Sequence, residues 1–264
     1  MAASFLAYLQ SPAQQQRFQS FAFRDYQGHP GSLITEANGM LPSEPKATLS
    51  PPSPQVMAAI KSSWAELRKR ARVILVIDVS GSMGEAVGDA GTNKIELAKS
   101  AAIKALDEFS PDDDVGLWVF STDMDTSHHP YLELFPVAPL GPNISAMKER
   151  IQGLEPLNGT ALYASTRAAV AEMRSSFDPD RINAVVLLTD GKNEYPQDTD
   201  RDGLVRSLQA ESPETAVRVF PIAYGADADK DTLRMIAEGS QAALYDASDP
   251  GSIEKVFLAV VSNF

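Results

Sequence analysis

Within residues 1–70 the apolar positions recur at helical spacing in two stretches, and beyond them apolar runs that read as strands alternate with helical spacing. Phe5, Leu6, Tyr8 and Leu9 open a helical stretch over residues 4–23. Ser11-Pro12 supplies an N-cap and first-turn pair for a second short helix carrying Phe18, Phe21 and Phe23. From Gln27 to Gln55 the periodicity lapses, and Pro30, Pro42, Pro45, Pro51, Pro52 and Pro54 mark a linker or an extended wrap. Val56, Met57, Ile60, Trp64 and Leu67 then resume helical spacing. They end at Arg68-Lys69-Arg70, a basic cluster suited to the negative end of a helix dipole.

From residue 71 strands and helices alternate. Strands read at 72–78, 115–121, 182–189, 216–223 and 242–245, with a weaker one at 131–135. Helices read near 93–109, 143–152, 161–175, 202–210, 229–239 and 250–262. The alternation predicts an α/β fold: a Rossmann-like, doubly wound, mostly parallel six-stranded sheet with one antiparallel edge strand and helices on both faces. Two segments follow, 1–70 as helices and a Pro-rich linker and 71–264 as the main domain.

The strand Val73-Ile74-Leu75-Val76-Ile77 is apolar without interruption, as expected of a strand buried on both faces. It stops at Asp78-Val79-Ser80-Gly81-Ser82, placing an acid and two hydroxyls at alternate positions where the chain turns. A second apolar strand, 182–189, runs into Asp190-Gly191, and between them Asn158-Gly159-Thr160 presents a hydroxyl before a helix that Thr160 is also placed to cap. In parallel sheets ligands bind beyond the strand C-termini. Asp78, Ser80, Ser82, Thr160 and Asp190 therefore make a five-residue oxygen set suited to a hard divalent cation, with Mg²⁺ first and Mn²⁺ or Ca²⁺ as alternatives.

These residues carry a resemblance. D-x-S-x-S at Asp78–Ser82, Gly159-Thr160, and Thr189-Asp190-Gly191 resemble, in order, the metal-ion-dependent adhesion site of von Willebrand factor A-type domains, over roughly residues 71–264. The resemblance implies that Ser80 and Ser82 coordinate the ion directly, as does Thr160 in ligand-bound states, while Asp78 and Asp190 hold it directly or through water. It implies a sixth position for an Asp or Glu carboxylate of a partner protein, hence a binding module and not an enzyme. Residues 1–30, with Phe5–Pro12, Gln15–Phe18 and Phe21–Arg24, resemble the last helices of a bacterial extracellular solute-binding protein. That implies the C-terminal part of a longer, extracellular or cell-surface precursor.

Composition narrows the alternatives. A net charge of −12 argues against nucleic acid and anionic membrane as partners, and no apolar run is long enough to span a bilayer. Met1–Gln10 lacks the basic start and apolar core of a signal peptide. The absence of cysteine removes disulfides and thiol nucleophiles. A metal-assisted hydrolase is the competing reading, but it needs a base or nucleophile beside the metal, for which the sequence offers carboxylates and no diagnostic His, Lys or Cys. An accessory part of a solute-binding transport protein is a third. His128 and His129 are adjacent and read as loop residues. Asp198-Thr199-Asp200-Arg201-Asp202-Gly203 resembles the start of a calcium loop, but its twelfth position is Gln209, so it reads as an acidic cap to the following helix.

Overall fold

The computed structural model describes residues 2–44, 51–67, 69–88, 91–209 and 215–264. Met1–Glu66 and Leu67–Phe264 form two compact units. In the first, α1 (Ala2–Leu9) and α2 (Pro12–Gln19) are short, and α3 spans Pro54–Leu67. Of the aromatic residues expected on the second helix only Phe18 lies in it. The chain leaves α2 at Ser20, and Ala22 adopts a left-handed φ of 62° that a continuing helix does not allow. Ser11 does not cap α2 through its side chain; its hydroxyl donates to the Tyr8 carbonyl at 2.7 Å instead. Arg24 gathers the carbonyls of Gly28 and Leu41, each at 3.0 Å, so this part of the Pro-rich stretch closes into a loop. Arg68 lies outside the described residues, and Arg70 opens the first strand.

The second unit contains β1 (Arg70–Asp78), β2 (Ala86–Val87), β3 (Thr92–Asn93), α4 (Lys94–Leu106), β4 (Asp114–Phe120), β5 (Tyr131–Pro139) and α5 (Leu140–Gln152). It continues with α6 (Leu162–Ser175), β6 (Arg181–Thr189), α7 (Arg201–Leu208), β7 (Arg218–Tyr224), α8 (Lys230–Gly239), β8 (Tyr245–Ala247) and α9 (Ile253–Val261). Six strands form one sheet in the order β5-β4-β1-β6-β7-β8, with β5 alone antiparallel at its edge. The expected fold class holds. β2 and β3 form a separate small hairpin that the apolar pattern does not foreshadow.

Period-two alternation along β1 divides the core. Val73, Leu75 and Ile77 pack with Ala98, Ala101, Ala102 and Ala105 of α4 and with Phe257 and Val260 of α9. Ile74 and Val76 pack on the other face with Leu162, Val170 and Met173 of α6, Leu204 and Leu208 of α7, and Leu233 and Ile236 of α8. The four small residues on α4 let it lie close to the sheet. Trp118, Met83 and Tyr163 are core residues, and Trp118 stacks on Tyr131 with ring centroids 4.9 Å apart.

The weak strand expected at 131–135 extends to Pro139. Its positions are half-buried or exposed and do not alternate, because the pairing with β4 is shifted around Gly116, where an added Cβ would meet Val137 Cγ2 at 2.9 Å. The strand expected at 242–245 begins only at Tyr245, since Gln241 turns the chain with φ 60° after α8. Because β1 connects outward to β4 on one side and the chain later returns as β6 on the other, their C-terminal ends flank a topological switch point. Among the described residues no helix is long and apolar enough to cross a membrane.

Candidate metal centre

Three loops meet at that switch point, each held by backbone hydrogen bonds to the next. Gly81 N–H donates to the Asn158 carbonyl at 2.7 Å, joining the loop after β1 to the loop before α6. Glu194 N–H donates to the Thr160 carbonyl at 2.8 Å, and Thr160 N–H donates to Glu194 Oε2 at 3.2 Å, joining the latter to the loop after β6. Gly191 is needed at this junction, because a Cβ there would stand 2.8 Å from the Thr160 hydroxyl.

Asp78 is fully buried at the end of β1. Its carboxylate accepts from Ser80 N–H at 2.7 Å and from the Thr189 hydroxyl. Burial pushes its pKa up to about 7; the Thr189 hydrogen bond works against that shift, and the neighbouring Asp190 charge adds to it. Ser80 Oγ lies 3.1 Å from Ser82 Oγ, and Ser82 donates to Asp190 Oδ1 at 2.7 Å. Asp190 Oδ2 accepts from Lys94 Nζ at 2.8 Å. Ser80, Ser82, Thr160 and Asp190 line a cavity of about 550 Å³, together with Glu85, Lys94, Asn158, Gly191, Lys192, Glu194 and Asp227 among others. Asp78 lies beneath, not on, its wall.

Thr160 is not the cap of α6. The N-cap position is Ala161, and Tyr163 N–H in the first turn is taken by Asn193 Oδ1 at 3.1 Å, which leaves the Thr160 hydroxyl to the cavity. The donor chemistry suits a hard cation. Ser82 gives its proton to Asp190, so its oxygen keeps its lone pairs as acceptors, and it lines the cavity with Ser80 and Thr160. Among the described residues no group of three His, Cys, Asp or Glu is placed to hold a metal ion, and the cavity offers the Ser80, Ser82 and Thr160 hydroxyls beside Asp190.

The other acids and histidines of the loops separate. Glu85 and Glu194 line the cavity. Asp89 lies outside the described residues. His128 and His129 pair with Asp123 and Asp125 at 2.9 and 2.7 Å and do not converge on one point. Asp198 binds Arg167 at 2.9 Å and Asp200 caps α7 through Gly203 N–H, matching the capping reading of that loop.

Sequence reasoning missed Lys94, and it included Thr189 in a motif without the role of donor to Asp78. Lys94 had a signal: it opens α4, where the helix dipole disfavours a cation, so an anion had to be close by. Burial pulls its ammonium down, but hydrogen bonds to Asp190 and Glu85 outweigh this and hold its pKa above the ordinary value.

The shift at Asp78 gives a pH dependence. A carboxyl whose folded pKa is raised from 3.8 to about 7 contributes stability that is fully present below the unfolded value and lost as pH rises through the folded one. In chelator the melting temperature is expected to fall from about pH 4 to about pH 7, the interval between the two values, and to level off above it. Asp78→Asn should remove that slope. A slope equal in wild type and variant would assign it elsewhere.

The family model described as von Willebrand factor type A domain matches residues 73–259. Residues 1–30 precede that match, so their resemblance to a solute-binding protein gains no support from it. Human inter-alpha-trypsin inhibitor heavy chain H4 is 34% identical over 124 residues, which is 45% of this chain and 12% of that protein. Among solved structures, a von Willebrand factor type A protein from Catenulispora acidiphila matches with a TM-score of 0.59 at 21% identity, over 74% of this chain and 42% of its own. Proximal thread matrix protein 1 from the mussel byssus, solved with a zinc-occupied MIDAS motif, matches with a TM-score of 0.56 at 20% identity, over 73% of this chain and 47% of its own. The chain thus spans less than half the length of each, and the structural likenesses show the fold.

Proposed function

This chain belongs to the von Willebrand factor type A domain family, and from that premise we propose that it is a protein-binding module holding Mg²⁺ in the switch-point cavity and engaging a partner's Asp or Glu carboxylate there. Domains of this family are typically metal-dependent protein-interaction modules without enzymatic activity. The observation that carries the reading is the convergence of Ser80, Ser82, Thr160 and Asp190 on one open cavity, with Asp78 buried beneath it. Bound there, the ion would supply an electrophilic point for an incoming acid. Ser80 and Ser82 would meet it with neutral oxygens, Thr160 would meet it from the opposite loop, and Asp190 would supply charge. Asp78 would orient Ser80 through its backbone and, with Thr189, set the depth of the site. Few direct carboxylates leave the cation under-neutralised, which favours capture of an external one. Residues 71–264 would form this module, with 1–70 a separate segment.

The test has two parts. Calorimetry should show saturable Mg²⁺ binding that Ser80→Ala weakens. Peptides selected from a displayed random library in Mg²⁺ should contain Asp or Glu and release in chelator. Wild-type protein that takes up no Mg²⁺, or selected peptides that bind equally well in chelator, would overturn the proposal.

Gly191→Ala is the milder probe. Its Cβ crowds the Thr160 hydroxyl at 2.8 Å, so Mg²⁺ affinity should fall roughly tenfold, as when a residue that orients a ligand is disturbed. Unchanged affinity by calorimetry would place Thr160 outside the coordination set.

A further inference from the structure

Lys94 is a second cation built into the same cavity. Its ammonium lies 2.8 Å from Asp190 Oδ2 and 2.7 Å from Glu85 Oε2. The side chain is 8% exposed, whereas Glu85 is 59% exposed, so the pair with Asp190 is the enclosed one. The residue is clamped as well as charged. Tyr224 OH donates to its carbonyl at 3.0 Å, and its Cε and Nζ pack over Gly225, where a Cβ would stand at 3.4 and 3.6 Å. It occupies the first position of α4 against the helix dipole, a placement that the two acids offset.

Asp190 therefore divides its oxygens: Oδ1 faces Ser82 and Oδ2 faces Lys94. From this division we infer that Lys94 is a positioning residue that fixes which Asp190 oxygen faces the cavity and offsets that carboxylate's charge, keeping the cavity's hold on Mg²⁺ deliberately weak and the bound ion attractive to a partner's acid. The inference rests on the cation reading given above. Its physical content is a trade. Positive charge a few ångströms from the ion lowers cation affinity, and the same positive charge leaves negative charge lacking, which an incoming carboxylate supplies. Glu85 tempers the effect from the rim, since it shares the ammonium with Asp190.

The trade predicts effects of opposite sign, which damage to the fold does not produce. Lys94→Met keeps the length and apolar stem and removes the charge, so Mg²⁺ affinity by calorimetry should rise by roughly tenfold. Glu85→Gln leaves Lys94 undivided on Asp190, so affinity should fall several-fold. In chelator Lys94→Met should melt below wild type, because the buried Asp190 then lacks its counter-charge, and saturating Mg²⁺ should close that gap. Mg²⁺ affinity that is unchanged or lower in a folded Lys94→Met protein would overturn the inference. Should that variant not fold, Glu85→Gln decides, and unchanged or tighter binding would overturn it. Wild-type protein that binds no Mg²⁺ fails the cation reading itself, whereas wild-type binding with no response to Lys94 fails this inference alone.

Discussion

Asp190→Ala is expected to abolish Mg²⁺ binding over the range where wild-type protein saturates, a loss of more than about 100-fold, beyond the 10–100-fold typical for groups that only orient a metal ligand. The side chain is buried, it accepts from Ser82 at 2.7 Å and from Lys94 at 2.8 Å, and it is the only carboxylate among the five site residues that reaches the cavity wall. Its removal takes charge from the site and releases the Ser82 hydroxyl. The effect on stability should be smaller than the effect on binding. Breaking a buried ion pair costs about 3–5 kcal/mol when it strands one charge. Here Lys94 keeps Glu85, whose exposure makes it a weaker partner, and Asp78 loses a repulsive neighbour that contributes to its raised pKa. A net destabilisation of about 1–3 kcal/mol in chelator is therefore expected. Asp190→Asn, which retains an acceptor for Ser82, should lose metal equally and less stability. Urea melts in chelator beside calorimetry check both parts, and Mg²⁺ affinity retained by Asp190→Ala would remove this residue from the site.

Leu75→Ala is expected to give the largest loss of stability, about 2–5 kcal/mol, because the cavity left behind has little freedom to collapse. Leu75 is fully buried at the centre of β1, paired with Leu117 of β4 and Val186 of β6. The helix over that face presents Ala98, Ala101, Ala102 and Ala105, whose short side chains do not extend into the space. The midpoint of urea unfolding should fall with little change in slope. A loss below about 1 kcal/mol would show that α4 moves inward to fill the gap, contrary to close packing at this strand.

How legible each part was depended on whether its cause lay within a short stretch of chain. β1 and β6 were readable because strands buried on both faces carry an unbroken apolar stretch, and an acid marked the end of each, Asp78 and Asp190. α4 was readable from its apolar period, although its start was set by Asn93, which accepts from Glu96 N–H at 3.1 Å. β5 was only half visible, since an edge strand with shifted pairing has no alternation to betray its length. α2 ended early at Gln19, ahead of a left-handed Ala22, a conformation that residue type does not announce.

The site divides in the same way. Residue identity and spacing alone determined that Asp78, Ser80, Ser82 and Asp190 would stand at strand ends and Thr160 just before a helix, because strand and helix periodicity are local and polar groups must leave the core. Only the tertiary structure decided what each one does there. Asn193 took the cap of α6 and so left Thr160 to the cavity, Thr189 and burial together set the state of Asp78, and Lys94 crossed 96 positions of sequence to claim one oxygen of Asp190. Hydrogen bonds and charges act over a few ångströms of space irrespective of chain separation, so which partner a buried acid receives is settled only when the loops close on one another.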